Sequence, residues 1–199
     1  MVWQFSFYEG NHLRFRENLH RHRCISVNTG NGHRCENICV ISEPYCWIHL
    51  LHRKHLRIKD SRIDGAGKGC FVQDPRRPQG AVIFRRDDDI LNYHGEFVSE
   101  STLDHRYGAQ NTSPYAVEIS RNRNRFEDGA LERSAMACIN SPPHGVAANC
   151  RLTTNRGRTF CKIKANRDIR NGEELYAGYG NQYWQHNHGV THSTTRYVR

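Results

Sequence analysis

Five side chains near the start of the sequence could share one metal ion: Cys24, Cys35, Cys39, Cys46 and His49. Cys46 and His49 are three residues apart, so on a helical turn both side chains face one point. Thiolate and imidazole donors suit tetrahedral zinc. Gly30 and Gly32 allow a tight hairpin between Cys24 and Cys35, which would bring those two thiols together. Five donors compete for four places. The set favoured here is Cys24, Cys35, Cys46 and His49, with Cys39 left over. The competing reading is a cluster of unligated thiols packed around Tyr45 and Trp47. About 55 residues are too few to bury a core of their own, and a metal staple would solve that problem. Such a metal would be structural, since no open coordination position is implied.

A second candidate lies at Gly65-Ala66-Gly67-Lys68-Gly69. It is not a Walker loop, because Gly69 follows Lys68 where a Ser or Thr would serve magnesium. It is not a dinucleotide fingerprint either, because a strand-like segment follows it. Glycines here let the backbone approach a ligand closely.

The elements that must position these residues read as short strands separated by turn signals. Leu56-Arg57-Ile58-Lys59 alternates, and Gly69-Cys70-Phe71-Val72, Ala81-Val82-Ile83-Phe84 and Ile90-Leu91-Asn92-Tyr93 follow. Tyr115–Ile119 and Phe160–Lys164 alternate as well. A helix is expected from Glu100 to Tyr107, capped by Ser99 or Ser101. This spacing predicts a mostly β fold of several small sheets. Trp3, Phe5, Phe7 and Tyr8 suggest a further strand near the start. The chain divides into residues 1–55, a Cys/His segment; 56–184, the β-rich body; and 185–199, a polar tail in which His186, His188 and His192 read as solvated.

The sequence has 199 residues, 37% hydrophobic and 25% charged, with 10% aromatics, which argues against disorder. There is no apolar run of the ~20 residues a membrane span needs, and the first residues lack the pattern of a signal peptide. An intracellular protein, nuclear or cytoplasmic, is therefore expected, with the eight Cys reduced rather than paired. Cys70, Cys138, Cys150 and Cys161 read as buried small hydrophobes. Basic residues number 29 against 20 acidic, a formal charge of +9, and 24 of the 29 are Arg. An anionic partner such as nucleic acid fits that balance, as does simple solubility. Arg121-Asn122-Arg123-Asn124-Arg125 is the dense basic run and reads as a loop.

Four segments, in order, resemble a SET-domain methyltransferase. They are Gly67-Lys68-Gly69-Cys70-Phe71; Tyr93-His94-Gly95-Glu96; Ile139-Asn140-Ser141 with Asn149-Cys150; and Ile169-Arg170-Asn171-Gly172-Glu173-Glu174-Leu175 with Tyr179-Gly180. Together they span about residues 56–184. The resemblance implies a SET-type fold with a threaded C-terminal segment, S-adenosyl-L-methionine as methyl donor and a protein lysine, a histone tail among the candidates, as acceptor. It implies that Gly67, Lys68 and Gly69 offer main chain to the cofactor and that Asn140 and Ser141 hold its ends. Trp184 would pack beside the cofactor. Tyr179 would align the amine with the methyl group, and Tyr93 would line the lysine channel. Some positions differ from the usual pattern: Ser141 stands where His is usual, Ala137-Cys138 where Arg-Phe is frequent, and Gly178 where Asp is frequent. No Cys follows Cys161, so the Cys-rich segment that often closes the lysine channel is absent from this sequence. Tyr183, Trp184 or the N-terminal module would have to close it. Two other functions compete: a SET-fold binding module without catalysis, and an Arg-rich, zinc-stapled nucleic-acid binder.

Overall fold

The computed structural model describes residues 2–9, 12–18, 21–39, 43–108, 113, 115–120, 124–179 and 194–198. In chain order the elements begin with β1 (Val2–Glu9), β2 (His12–Asn18), β3 (His22–Arg23), β4 (Ile38–Cys39) and helix α1 (Trp47–Lys54). Then come β5 (Leu56–Asp60), β6 (Lys68–Val72), β7 (Val82–Phe84), β8 (Asp89–Asn92), β9 (Glu96–Val98) and helix α2 (Glu100–Tyr107). The chain continues through β10 (Ala116–Ser120), β11 (Arg125–Asp128), a 3-10 turn (Ala135–Cys138), β12 (Cys150–Thr154), β13 (Cys161–Ala165), β14 (Ile169–Arg170) and β15 (Thr194–Val198). The fold is mostly β, in several small sheets. Three-stranded sheets run β15-β1-β2, β10-β11-β9 and β12-β13-β8, and β14-β7, β3-β4 and β5-β6 pair as ribbons. No helix among the described residues is long and apolar enough to cross a membrane.

Local sequence explains the elements that frame the site. β5 buries Leu56 and Ile58 and exposes Arg57 and Lys59, the period-2 pattern of a half-buried strand. β13 buries Cys161, Ile163 and Ala165 by the same rule. α2 starts at Ser99, whose Oγ accepts from the Thr102 N–H at 3.3 Å, with Glu100 in its first turn and His105 and Arg106 in its last. α1 ends at His55 in the left-handed region, φ 56°, with its N–H on the Leu51 carbonyl. Leu50 of α1 joins Leu56, Ile58, Cys70, Val72, Ile163, Ile169 and Leu175 in one core, so the N-terminal segment shares its packing with the body. Val98, Leu103, Tyr107, Ala130 and Leu131 form a smaller core under α2.

That smaller core carries a buried ion network. Asp128 is fully buried and accepts from Arg106 Nη1 at 2.7 Å, from the Tyr107 hydroxyl at 2.9 Å and from the Ala130 N–H at 3.1 Å. Arg106 also reaches Glu96 at 2.7 Å. The basic run departs from its loop reading at its end: Arg125 opens β11, with its guanidinium 4.0 Å from the Phe97 ring centroid, while residues 121–123 lie outside the described residues.

The segment from Glu173 to Tyr179 lies between β6 and residues 139–150. On one side the Val72 N–H donates to the Glu173 carbonyl and the Leu175 N–H to the Cys70 carbonyl, each at 2.8 Å. On the other, the Ala177 N–H donates to Asn140 O at 3.0 Å, and the Asn149 and Cys150 N–H groups both reach Tyr176 O at 3.1 Å. Asn149, 2% exposed, clips the segment twice: its Nδ2 donates to Glu174 O at 2.7 Å and its Oδ1 accepts from the Tyr176 N–H at 2.8 Å.

Candidate functional site

Two constellations stand out, and the first is the Cys/His cluster. The ligand atoms of Cys24, Cys35, Cys46 and His49 all lie within 4.8 Å of one another. His49 Nδ1 is 3.5 Å from Cys24 Sγ and 3.3 Å from Cys46 Sγ, and Cys35 Sγ is 4.0 Å from Cys46 Sγ. A tetrahedron with zinc–ligand bonds of ~2.0–2.3 Å has edges of about 3.5–3.8 Å, close to the shorter of these spacings, so the four donors could hold that ion. The hairpin that delivers two of the thiols is held by the Cys35 N–H on Ser26 O at 2.7 Å, and α1 delivers Cys46 and His49. N–H groups surround the sulfurs: the Cys46 amide donates to Cys24 Sγ at 3.2 Å and Asn37 Nδ2 to Cys46 Sγ at 3.5 Å. Burial works against the Cys46 thiolate, but hydrogen bonds from the His49 backbone, Asn37 and the His49 ring outweigh it and bring the thiol down to about 6. Cys39 is set beside the four and is buried; burial and the neighbouring thiols push it up to about 12. Apart from partly buried Cys35 and Tyr45, this cluster consists of Cys24, Cys39 and Cys46 alone. Three thiols make a small apolar core.

The second constellation surrounds the inserted segment. Asn140 Nδ2 donates to the Lys68 carbonyl at 3.1 Å and to Ser61 Oγ at 3.2 Å. The Tyr179 hydroxyl donates to the Ile139 carbonyl at 2.7 Å. Lys68 of the glycine loop, the Ile139-Asn140 pair and Tyr179 are thus linked through two of these hydrogen bonds, although Lys68 and Tyr179 are 111 residues apart in the sequence. Gly67 sits at φ +72° with open space where a side chain would be, so its main chain is approachable. Gly69 is different: the Glu174 carboxylate occupies the place of its missing side chain. Ser141 is half-buried beside Asn140. Trp184, Tyr183 and the histidines at 186, 188 and 192 lie outside the described residues.

Glu174 and Asn149 are positioning groups to which the sequence reading gave no role. Glu174 is buried and accepts from Ser61 Oγ at 2.6 Å, the Arg62 N–H at 2.8 Å and the Tyr176 hydroxyl at 2.9 Å. It therefore ties the loop after β5 to the inserted segment. A signal was present for Asn149, a polar residue that follows Val146-Ala147-Ala148, and for Glu174, one of a carboxylate pair directly before Leu175.

Tyr93 is 4% exposed, and its hydroxyl donates to the Tyr115 carbonyl. Burial raises it well above the ordinary tyrosine range, so it stays a phenol. Its ring lies over Gly129, where a side chain would collide with the hydroxyl. Tyr93 also forms part of the wall of a cavity of about 710 Å³, together with His94, Phe97, Glu127 and Phe160. Glu127 accepts from the Gly95 N–H at 3.2 Å and the Cys161 N–H at 3.1 Å, and burial pushes its carboxyl up to about 7 despite those bonds.

No protein-family model matches the chain. No curated protein matches it either. Among solved structures, it is similar to a chain of polycomb repressive complex 2 from Chaetomium thermophilum, with TM-score 0.53 and 20% identity over 71% of this chain and 18% of that one. A second such complex, in an autoinhibited conformation bound to S-adenosylmethionine, matches with TM-score 0.52 and 21% identity over 65% and 15%. A third, in complex with H3K27me3, matches with TM-score 0.52 and 20% identity over 64% and 15%. The chain therefore spans less than a fifth of the length of these neighbours. What is shared is the architecture: a mostly β, SET-type fold of several small sheets, here accompanied by a Cys/His cluster.

Proposed function

We propose that the chain is an S-adenosyl-L-methionine-dependent protein-lysine N-methyltransferase of the SET type, acting on a histone or another basic protein. The observation that carries this reading is the meeting of Lys68, Asn140 and Tyr179 around the inserted segment. The residues present fit the cofactor: an open glycine backbone at Gly67, main-chain carbonyls and a side-chain amide are the donors and acceptors its adenine and amino-acid ends require. Gly67, Lys68, Gly69, Asn140 and Ser141 would hold it, with Trp184 alongside. When bound, it supplies an electrophilic sulfonium methyl group.

The chain's own residues would orient the acceptor. The Tyr179 hydroxyl donates a hydrogen bond to Ile139 O, and its oxygen would accept from the lysine amine and, weakly, from the methyl C–H groups. Tyr93, fixed on Tyr115, would shape the apolar approach, where desolvation favours the neutral amine that can attack. Alignment and electrostatics then supply most of the rate gain. Cys24, Cys35, Cys46 and His49 would hold a structural zinc ion in residues 1–55. Residues 56–184 would form the catalytic body and residues 185–199 a tail, of which Thr194–Val198 pairs with β1. A chromatin role, and with it the nucleus, follows from the same reading.

Calorimetry of S-adenosylmethionine on zinc-loaded protein tests the proposal, followed by transfer of labelled methyl to core histones. Micromolar binding that Asn140→Ala abolishes supports it. Absent binding in wild type would overturn it in favour of a SET-fold binding module, the reading to which Ser141 and Gly178 would then point.

A further inference from the structure

Arg57 and Lys59 occupy the exposed half of the β5 alternation, on the side turned away from the core. Arg62, just past the strand, and Arg77, in the turn before β7, come to the same side, and the four cations line a cleft of about 390 Å³. Lys59 Nζ lies 4.0 Å, and the Arg62 guanidinium carbon 5.4 Å, from the centroid of the Phe71 ring, so two positive charges gather over one buried ring. The guanidinium groups are held by neutral acceptors. Arg62 Nη2 donates to Gly172 O at 2.8 Å, Arg57 Nη1 to Gln73 Oε1 at 3.5 Å and Arg77 Nη2 to Val82 O at 3.4 Å. Among the described residues none of the four forms an ion pair. The carboxylate in the wall, Asp74, is engaged by Arg76 at 3.1 Å and faces His55 at 3.4 Å.

Positioned like charges without counter-charges raise the energy of the empty cleft, and an anion relieves it. The wall contains one apolar side chain, Pro75, with Gln73 and Gln79 supplying amides; the Asn171 amide already donates to the Asp74, Arg77 and Pro78 carbonyls. A protein partner needs an apolar centre to its interface. A sugar–phosphate backbone needs cations and hydrogen-bond donors only. We propose that this cleft binds the phosphate backbone of a nucleic-acid duplex. The proposal does not depend on methyl transfer, so either can fail alone.

The test is fluorescence anisotropy with a labelled DNA duplex of arbitrary sequence, titrated at several salt concentrations. Four phosphate contacts give a log–log salt slope of about −3.6, or an affinity loss of about 150-fold between 50 and 200 mM salt. The double variant Arg57→Gln/Lys59→Gln is expected to flatten the wild-type slope by about 1.8, and Arg77→Gln by about 0.9. Arg158→Gln, exposed on the turn between β12 and β13, leaves it unchanged. Thermal melting by circular dichroism checks that each variant folds, and Arg77→Gln carries the test alone if the double variant does not. Slopes unaltered in the cleft variants overturn the proposal. So does binding of polyglutamate in place of the duplex, which would mark the cleft as a site for acidic protein.

Discussion

Removing one cysteine at a time separates a metal centre from a packed thiol cluster, because Cys39 and Cys46 are both buried and only Cys46 converges with the other donors. Structural zinc contributes about 10–16 kcal/mol of apparent binding energy near neutral pH. Even a fraction of that is comparable with the ~5–15 kcal/mol total stability of a small domain. Cys46→Ala removes a ligand that lies 3.3 Å from His49 Nδ1 and 4.0 Å from Cys35 Sγ, so it is expected to lose most bound zinc and to loosen α1. Cys39→Ala removes a sulfur from packing only, at a cost of about 1–2 kcal/mol, and is expected to keep the metal. Metal content after dialysis, by elemental mass spectrometry, and melting with and without chelator report both effects. Wild type and Cys39→Ala should each carry one zinc per chain and lose thermal stability in chelator. Metal-free wild type of unchanged melting temperature refutes the reasoning, as does equal zinc loss from both variants.

Tyr179→Phe should leave the fold intact, since one hydrogen bond to Ile139 is worth about 1 kcal/mol, and should reduce methyl transfer at least tenfold; unchanged turnover removes Tyr179 from the mechanism. Asp128→Ala takes a buried carboxylate away from Arg106 and the Tyr107 hydroxyl inside the smaller core, and urea unfolding should show a loss of about 3–5 kcal/mol, with a loss below 1 kcal/mol contradicting the network. The Glu127 carboxyl is raised by burial to about 7, above its unfolded value. Its contribution is therefore fully present at acid pH and is lost as pH rises through about 7. The cost of Glu127→Gln should accordingly be about 2 kcal/mol larger at pH 5.5 than at pH 8.5, and a cost independent of pH would show that Glu127 does not titrate in that range.

The fold class was legible because the body alternates: the Leu56–Lys59, Tyr115–Ile119 and Phe160–Lys164 strands carry period-2 signals, and Ser99 marks α2. Elements that bury charge were not legible. β11 places Glu127 and Asp128 at 2% and 0% exposure, so its sequence looks like a polar turn. α1 was not expected as an element although Trp47, Ile48, Leu50 and Leu51 recur at helical spacing, because the stripe covers only eight residues in a stretch read for its Cys/His donors. What the pairing of Cys46 with His49 implied was only a local helical turn. In the second constellation the candidate residues were legible as short motifs. The links between them were not, since the bonds from Asn140 to Lys68 and from Tyr179 to Ile139 depend on a crossing of chain that no local pattern encodes. The arginine surplus also divides in a way composition hides: Arg106, Arg151 and Arg167 are paired with carboxylates, while Arg57, Arg62 and Arg77 face an open cleft.

Inserting Glu173–Tyr179 between β6 and residues 139–150 sets an order in time as well as in space. At translation rates of about 5–20 residues per second, some 2–8 s separate the emergence of Asn140 from that of Tyr179. During that interval β6 has no partner for the N–H of Val72 and the carbonyl of Cys70 on that side, and Glu174 has yet to reach Ser61 and Arg62. The glycine loop, the amide and the phenol then come together in one late event with a high entropic cost of loop closure. On the proposed reading, a nascent chain would pass directly from having no site to having one, and a lesion that blocks insertion of the segment would remove the site rather than weaken it.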